Sequence, residues 1–68
     1  MAEGLRNRLR EVRVERDLTQ AQLAELIGVS RKTINTIENG VFVPSTLLAL
    51  KLARALDLTV EQLFSLEP

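Results

Sequence analysis

Two segments with helical signals are joined by only three residues, Gly28, Val29 and Ser30, and this joint constrains the fold more than any other feature. Glycine adopts the left-handed conformation that ends a helix without a Cβ penalty. A joint this short makes the flanking helices cross steeply, at roughly 90–120°. Ala24 must then be small, because the following helix passes close above it.

The residues around the joint meet each demand of such a crossing. The helix before it is expected to bury Leu23, Ala24 and Ile27, and the helix after it to bury Ile34 and Ile37. Val29 would plug the junction between them. Small, glycine and apolar residues therefore coincide at the required offsets, which is a specific signal for a helix-turn-helix unit.

Capping signals divide the chain into helices, and no segment shows the alternation of a strand. Thr19 with Gln22, and Thr59 with Gln62, have capping-box spacing, while Ser30 and Ser45 are single caps. The prediction is a compact all-α domain of five helices: one with Leu5, Leu9, Val12 and Arg16 on a stripe ending near Asp17, one from Thr19 to Gly28, one from Arg31 to Asn39, one from Thr46 to Leu56, and one from Val60 to about Ser65.

Composition argues against several classes of function. The chain has 68 residues and neither cysteine nor histidine, which removes thiolate chemistry and zinc sites of the Cys/His type. No carboxylate pair stands beside a nucleophile or a phosphate-loop motif, so we expect no enzyme activity, no metal and no cofactor. The longest apolar run, Leu47 to Leu50, is far shorter than the roughly 20 residues of a membrane span, so a cytoplasmic protein with no membrane partner is expected.

The third helix has a polar face, opposite Ile34 and Ile37, that consists of Arg31, Lys32, Asn35, Thr36 and Asn39. Such a face is either merely solvated or shaped to bind something polar. Two consecutive cations at a helix start oppose the helix dipole and cost stability, which favours binding. The net charge of zero is weak support for a nucleic-acid partner, although seven of the nine basic residues precede position 40.

The segment TQAQLAELIGVSRKTINTIENG resembles the helix-turn-helix of the phage Cro/C1 repressors, also named the Xre family. The flanks LREVRVERDLTQ and VPSTLLALKLARALDLTVEQLF resemble it too, so the similarity covers about residues 5 to 64. The resemblance implies a five-helix, lambda-repressor-like fold. The length of 68 residues predicts one domain, 1–68, with the helix-turn-helix core at 19–39.

The resemblance further implies a homodimer on double-stranded DNA, with helix three in the major groove of a near-palindromic operator. The residues implied to read bases are Arg31, Lys32, Thr33, Asn35 and Thr36. Gln20 and Asn39 match phosphate-contacting positions, and Arg13 with Glu38 match an internal ion pair. By residue type, arginine or lysine pairs with guanine and asparagine with adenine.

The expected function is a sequence-specific transcriptional regulator, a repressor rather than an activator, dimerised through helices four and five and the tail. Relatives often carry Lys or Arg where this chain has Val41, and a polar residue where it has Leu47. Leu47 with Val41, Phe42 and Val43 could form a surface for another protein. An antitoxin or adaptor module on the same fold is therefore the alternative, and a nucleoid-type binder without sequence preference is a third possibility.

Overall fold

The structure, a computed structural model, describes residues 4–67. Five helices and two short strands follow in the order β1 (Leu5–Asn7), α1 (Leu9–Glu15), α2 (Gln20–Ile27), α3 (Arg31–Glu38), α4 (Thr46–Ala55), α5 (Val60–Leu63) and β2 (Phe64–Leu66). The five predicted helices and their order are confirmed. The longest helix in the described range, α4, has 10 residues, and none there is long and apolar enough to cross a membrane.

Each of the four predicted caps begins a helix. Thr19 and Gln22 form a complete capping box at the start of α2, and Thr59 and Gln62 form another at the start of α5. The hydroxyls of Ser30 and Ser45 each accept a backbone N–H of the following turn at 3.1 Å. These hydrogen bonds satisfy N–H groups that have no partner within their own helix, which is why the boundaries follow the capping residues.

The first four helices end in the same way, with a residue in the left-handed conformation: Asp17, Gly28, Gly40 and Asp57. The N–H of the next residue then reaches back to the carbonyl of the residue five positions earlier, as in Val29 to Ala24 at 3.0 Å. This bond closes the helix end and turns the chain sharply. The connections between the helices are therefore short and well defined.

The two strands correct the expectation of a chain without strands. Leu5 does not belong to the first helix, which begins only at Leu9. Strands β1 and β2 pair antiparallel instead, in the register Leu5↔Leu66, Arg6↔Ser65 and Asn7↔Phe64. Strands of three residues are too short to show the alternation by which a strand is recognised in a sequence.

Asn7 separates strand β1 from helix α1. Its Oδ1 accepts the Leu9 N–H at 3.1 Å, and its Nδ2 donates to the Ile37 carbonyl at 3.1 Å. The backbone N–H of Arg8 then donates to the Leu63 carbonyl at 2.9 Å. Residues from α3 and α5 thus hold the start of α1 in place, so this boundary depends on tertiary contacts.

One core of aliphatic residues and a single aromatic, Phe64, lies between the five helices. Its largest fully buried members come from every helix: Leu9, Val12, Leu23, Ile34, Ile37, Leu52, Leu56 and Leu63. Helix α5 ends at Leu63 rather than near Ser65, and Leu63 and Phe64 are both buried. Of the apolar tail, only Leu66 stays exposed, since the paired strands carry Phe64 into the core.

Candidate nucleic-acid interface

Helices α2 and α3 form the predicted helix-turn-helix unit. Gly28 has a φ of 76°, which ends α2 and redirects the chain. Val29 is half-buried against the core, and Ser30 caps α3 through the Thr33 N–H. Ala24 is buried on α2, the helix that packs against α3. The joint therefore presents α3 on the surface of the molecule.

Helix α3 divides into a buried and an exposed side. Ile34 and Ile37 point into the core. On the polar face, Arg31, Lys32, Asn35 and Asn39 are exposed, whereas Thr36 is half-buried, as is its neighbour Thr33. The structure therefore brings all the predicted base-reading residues to one side of the molecule, with the two threonines at its margin.

The hydroxyls of the two threonines form hydrogen bonds to neighbouring residues of α3 and its cap. Thr36 Oγ1 donates to the Thr33 carbonyl at 3.0 Å, and the hydroxyls of Thr33 and Ser30 lie 3.0 Å apart. Their polar atoms are thus engaged within α3.

The start of α3 carries uncompensated positive charge. Within residues 4–67, the ion pairs involve Arg8, Arg10, Arg13 and Arg16, and neither Arg31 nor Lys32 takes part in one. The first turn of α3 also contains no acidic residue. Two exposed cations next to the positive end of a helix dipole create a local field that attracts anions.

Arg13 and Glu38 form an ion pair beneath the polar face. Arg13 Nε donates to Glu38 Oε2 at 2.6 Å, and Arg13 Nη2 donates to Glu38 Oε1 at 3.2 Å. Arg13 Nη1 also donates to the Leu18 carbonyl at 2.7 Å. The paired guanidinium therefore ties α1 both to α3 and to the segment that leads into α2.

Burial raises the pKa of the Glu38 carboxyl, but hydrogen bonds from Arg13, Gln20 and Arg10, together with the charge of Arg13, outweigh it. The pKa of Glu38 consequently lies below its ordinary value, and the group is ionised at neutral pH. A buried carboxylate that accepts this many hydrogen bonds holds the donating side chains around it in position.

Glu38 also closes a ring of hydrogen bonds across α1, α2 and α3. Gln20 Nε2 donates to Glu38 Oε1 at 3.0 Å and to Asn35 Oδ1 at 3.3 Å. Asn39 Nδ2 donates to the same Asn35 oxygen at 3.3 Å. Arg10 Nη2 donates to Asn39 Oδ1 at 2.9 Å, and Arg10 Nε donates to Glu38 Oε1 at 3.2 Å. These five residues are termed the amide ring.

Both residues predicted to contact phosphate, Gln20 and Asn39, belong to the amide ring. The Gln20 amide nitrogen uses both of its hydrogens inside the protein, on Asn35 and Glu38. Its backbone N–H, at the first position of α2, has no intrahelical partner. In this conformation, the group that Gln20 offers to an anion is therefore its main chain rather than its side chain.

Arg10 also belongs to the amide ring, a role that its position in the sequence did not predict. It lies one helical turn before Arg13, so both guanidinium groups stand on the same side of α1. Both also reach the Glu38 carboxylate. The three-residue spacing was a signal for a shared acceptor, but the sequence did not show which acidic residue it would be.

Four apolar side chains that follow α3, three in the connecting segment and one in the first turn of α4, are exposed: Val41 is 78% exposed, Phe42 45%, Val43 67% and Leu47 65%. They are termed the apolar patch. The N–H groups of Val41 and Phe42 both donate to the Thr36 carbonyl, at 3.0 and 3.2 Å, which holds this segment against the end of α3. Phe42 lines an open groove between α3 and α4, together with Thr33, Thr36 and Leu48.

Comparison with known proteins places this chain in a family. A helix-turn-helix family model matches residues 9–63. The uncharacterized HTH-type transcriptional regulator YgzD of Bacillus subtilis (strain 168) is 41% identical over 63 residues, which are 93% of this chain and 96% of that protein. An uncharacterized HTH-type transcriptional regulator of Methanothermobacter thermautotrophicus is 45% identical over 64 residues, 93% of each chain.

A solved structure shows the same architecture. The restriction-modification controller protein C.AhdI from Aeromonas hydrophila matches with a TM-score of 0.77 and 40% identity, over 81% of this chain and 83% of that one. The lambda-repressor-like fold inferred from the resemblance is thereby confirmed, with β1 and β2 as an addition to its five helices. The family consists of regulators rather than enzymes. This chain belongs to the Cro/C1-type helix-turn-helix family of DNA-binding transcriptional regulators.

Proposed function

We propose that this DNA-binding regulator is a repressor that occupies a near-palindromic operator as a homodimer and inserts α3 into the major groove. Operator occupancy would block the polymerase, in the cytoplasm, with no cofactor and no chemical step. We further propose that residues 1–68 act as one domain whose core is the helix-turn-helix at 19–39. The proposal is carried by the polar face of α3, which begins with two exposed cations that have no acidic partner among residues 4–67.

The proposed division of labour follows the chemistry of the face. Arg31 and Lys32 stand at the N-terminal end of α3, the end that enters the groove in this class of motif, and they would pair with guanine O6 and N7. Thr33 and Thr36 have their hydroxyls engaged within α3, so their methyl groups would contact thymine methyls. Asn35 would also reach a base edge. A good bidentate pair between a side chain and a base discriminates by about 1–3 kcal/mol.

Two further residues would position the domain on the phosphate backbone. Gln20 would act through its backbone N–H at the start of α2, where the helix dipole also favours an anion. Asn39 caps the end of α3 and is exposed, so its side chain would lie beside the rim of the groove. Such contacts set register and orientation but do not choose a sequence.

The experiment that tests this function is a selection from a random double-stranded DNA library with the purified protein, at about 150 mM salt, where long-range surface charge is largely screened. A palindromic motif with half-sites about 34 Å apart is expected. The variant Arg31→Ala, Lys32→Ala should lose the motif. Enrichment of no sequence by the wild-type protein would contradict the proposal.

A matched control separates base reading from loss of charge. Lys51 and Arg54 are exposed cations on α4, so Lys51→Ala, Arg54→Ala removes the same charge from a different helix. The control variant should keep the motif. Placing the enriched sequence over a promoter then tests repression directly, because expression should fall when the wild-type protein is produced and not when the α3 variant is produced.

The homodimer is supported by apolar surface away from α3. Leu50 on α4 and Leu66 in β2 are 54% and 66% exposed. A domain of this size buries only about 60% of its unfolded surface, so a self-interface would add needed stability. Analytical ultracentrifugation at micromolar concentration should show a dimer, and a single species of 7.6 kDa would contradict one.

The apolar patch favours a second candidate function, an antitoxin or adaptor that binds a protein through this fold. Phe42 and Leu47 would be its central contacts, since clusters of exposed apolar side chains mark interaction sites. Phe42→Ser, Leu47→Gln leaves the polar face intact. If this candidate is right, the protein forms a defined complex with the product of a neighbouring gene, detected by size-exclusion chromatography. The double variant should lose this complex and still bind DNA. If no complex with a co-expressed neighbouring gene product forms, the repressor is favoured.

A further inference from the structure

We propose that Asn35 selects a base edge that carries only acceptors, guanine or thymine, and discriminates against adenine, because the amide ring leaves it only donors. The inference rests on the proposed role of α3 in reading DNA. It differs from the expectation based on residue type alone, which pairs asparagine with adenine. It depends on two hydrogen bonds that a single atom, Asn35 Oδ1, accepts within the protein.

The two charged residues of the ring dictate how its three amides are oriented. A carboxylate can only accept hydrogen bonds and a guanidinium can only donate them. Gln20 must therefore turn its amide nitrogen towards Glu38, at 3.0 Å, and Asn39 must turn its oxygen towards Arg10, at 2.9 Å. Asn39 then faces Asn35 with its nitrogen, so that Asn35 receives two donors.

Asn35 meets these two donors with its oxygen. Gln20 Nε2 and Asn39 Nδ2 each lie 3.3 Å from Asn35 Oδ1. A carbonyl oxygen has two lone pairs, and both are used here. Turning the amide over would direct its NH₂ group against two other NH₂ groups, so the reversed orientation is disfavoured on both contacts. The acceptor of Asn35 is therefore unavailable to a ligand.

The side-chain nitrogen of Asn35, Nδ2, is by contrast available for hydrogen bonding. Among the hydrogen bonds within residues 4–67, none involves Asn35 Nδ2, and the side chain is exposed on the polar face. Both of its N–H groups can therefore reach a base. Asn35 thus presents only hydrogen-bond donors, whereas a free carboxamide presents both donors and an acceptor.

The major groove distinguishes these two patterns. Bidentate pairing with adenine needs an acceptor for the N6 amino group as well as a donor for N7, and Asn35 has no acceptor left. Guanine offers O6 and N7, both acceptors, and thymine offers O4. Cytosine presents its N4 amino donor, which would face the Asn35 donors. Guanine or thymine should consequently occupy the position opposite Asn35.

The test compares wild-type protein with Asn35→Ala in the library selection. The operator position read by Asn35 is the one at which the variant loses base preference. Wild type is expected to prefer guanine or thymine over adenine there by roughly tenfold, the effect of one good contact. Adenine or cytosine at that position would overturn the inference, and so would a variant whose preferences equal those of wild type at every position.

A second variant frees Asn35 Oδ1 from its two hydrogen-bond donors. Gln20→Leu, Asn39→Ala removes both donors from Asn35 Oδ1, and its circular dichroism melt reports whether it folds. If the folded variant binds, its preference at the Asn35 position should move towards adenine, with an about tenfold gain relative to guanine. An unchanged preference would overturn the link between the ring and the base that is read.

A DNA-free measurement keeps the inference distinct from the proposed function. In NMR spectra of the free protein, the side-chain NH₂ groups of Gln20 and Asn39 should exchange slowly with water and that of Asn35 quickly, since only the first two donate within the ring. Slow exchange at Asn35, or fast exchange at all three side chains, would contradict the hydrogen bonding of the amide ring. A library that enriches nothing would refute DNA reading instead, whatever the exchange rates.

Discussion

Arg13 Nε lies 2.6 Å from Glu38 Oε2, and the Glu38 side chain is completely buried while that of Arg13 is 12% exposed. This contact joins α1 to α3 directly beneath the polar face. Removing one partner of a buried ion pair leaves the other charge uncompensated. The rigidity of the polar face of α3 and the stability of the fold therefore depend on the same carboxylate.

The variant Glu38→Ala is expected to lower the free energy of unfolding by about 3–5 kcal/mol, because Arg13 and Arg10 lose their shared acceptor. Thermal and urea melts followed by circular dichroism measure this. Glu11→Ala is the control, since its ion pair with Arg8 is exposed and should contribute little. A melting temperature for Glu38→Ala equal to that of Glu11→Ala would show that the pair is not structural.

Acid should destabilise the protein partly through Glu38. A carboxyl whose pKa is lower in the folded state stabilises the fold above its unfolded pKa, about 4.3, and loses that contribution as the pH falls through its folded pKa. Melting temperature should therefore decline below about pH 4.3 in wild type. Glu38→Gln cannot titrate and should decline less. Parallel curves for the two proteins would contradict the assignment.

Gly28 should be sensitive to substitution for conformational reasons alone. A Cβ added at Gly28 meets no atom within 4 Å, yet its φ of 76° is unfavourable for residues other than glycine. Gly28→Ala should cost about 1 kcal/mol after the gain in unfolded-chain entropy is deducted. Gly28→Asn should cost less, since asparagine tolerates this conformation. Urea melts in which Gly28→Asn is less stable than Gly28→Ala would contradict this account.

Ala24 and Ala21 provide a matched pair on α2. Ala24 is buried on α2, which packs against α3, and Ala21 is exposed on the same helix. Ala24→Leu should lower stability by about 1–3 kcal/mol through overpacking, and it should also weaken DNA binding by displacing α3. Ala21→Leu should change the melting temperature little. Equal melting temperatures would mean that the crossing tolerates a larger side chain.

Val41 should control the salt dependence of DNA binding. Its side chain is exposed three residues after the end of α3, where the family resemblance implies a basic residue. Val41→Lys should add one phosphate contact and steepen the slope of log K against log salt by about 0.9. Val41→Gln, which is polar but neutral, is the control. Identical slopes for the two variants, from titrations at several salt concentrations, would place Val41 away from the phosphates.

Local signals in the sequence were sufficient for most of the fold. Thr19, Ser30, Ser45 and Thr59 begin their helices as predicted, because a cap bonds to a backbone group only three residues away. The left-handed turn at Gly28 is equally local. The buried and exposed sides of α3 follow from helical periodicity, so the polar face could be identified residue by residue.

Interactions between distant parts of the chain were not visible in the same way. Strand β1 exists because Leu5 pairs with Leu66, near the other end of the chain, and neither segment forms a recognisable strand by itself. The start of α1 depends likewise on Asn7, whose side chain binds the Ile37 carbonyl. A helix extended back to Leu5 was the natural prediction from periodicity and was wrong for this reason.

Helical periodicity assigns side chains to faces, so the order of residues alone places arginine, lysine, asparagine and threonine on one exposed face of α3. Which atoms of those side chains remain available depends on contacts that form only in the folded molecule. The orientation of Asn35 depends on Gln20 from α2, Asn39 from the end of α3 and Arg10 from α1, which meet only once the chain is folded around Glu38. A hydrogen bond depends on position and direction together, and sequence spacing specifies neither across three separate helices.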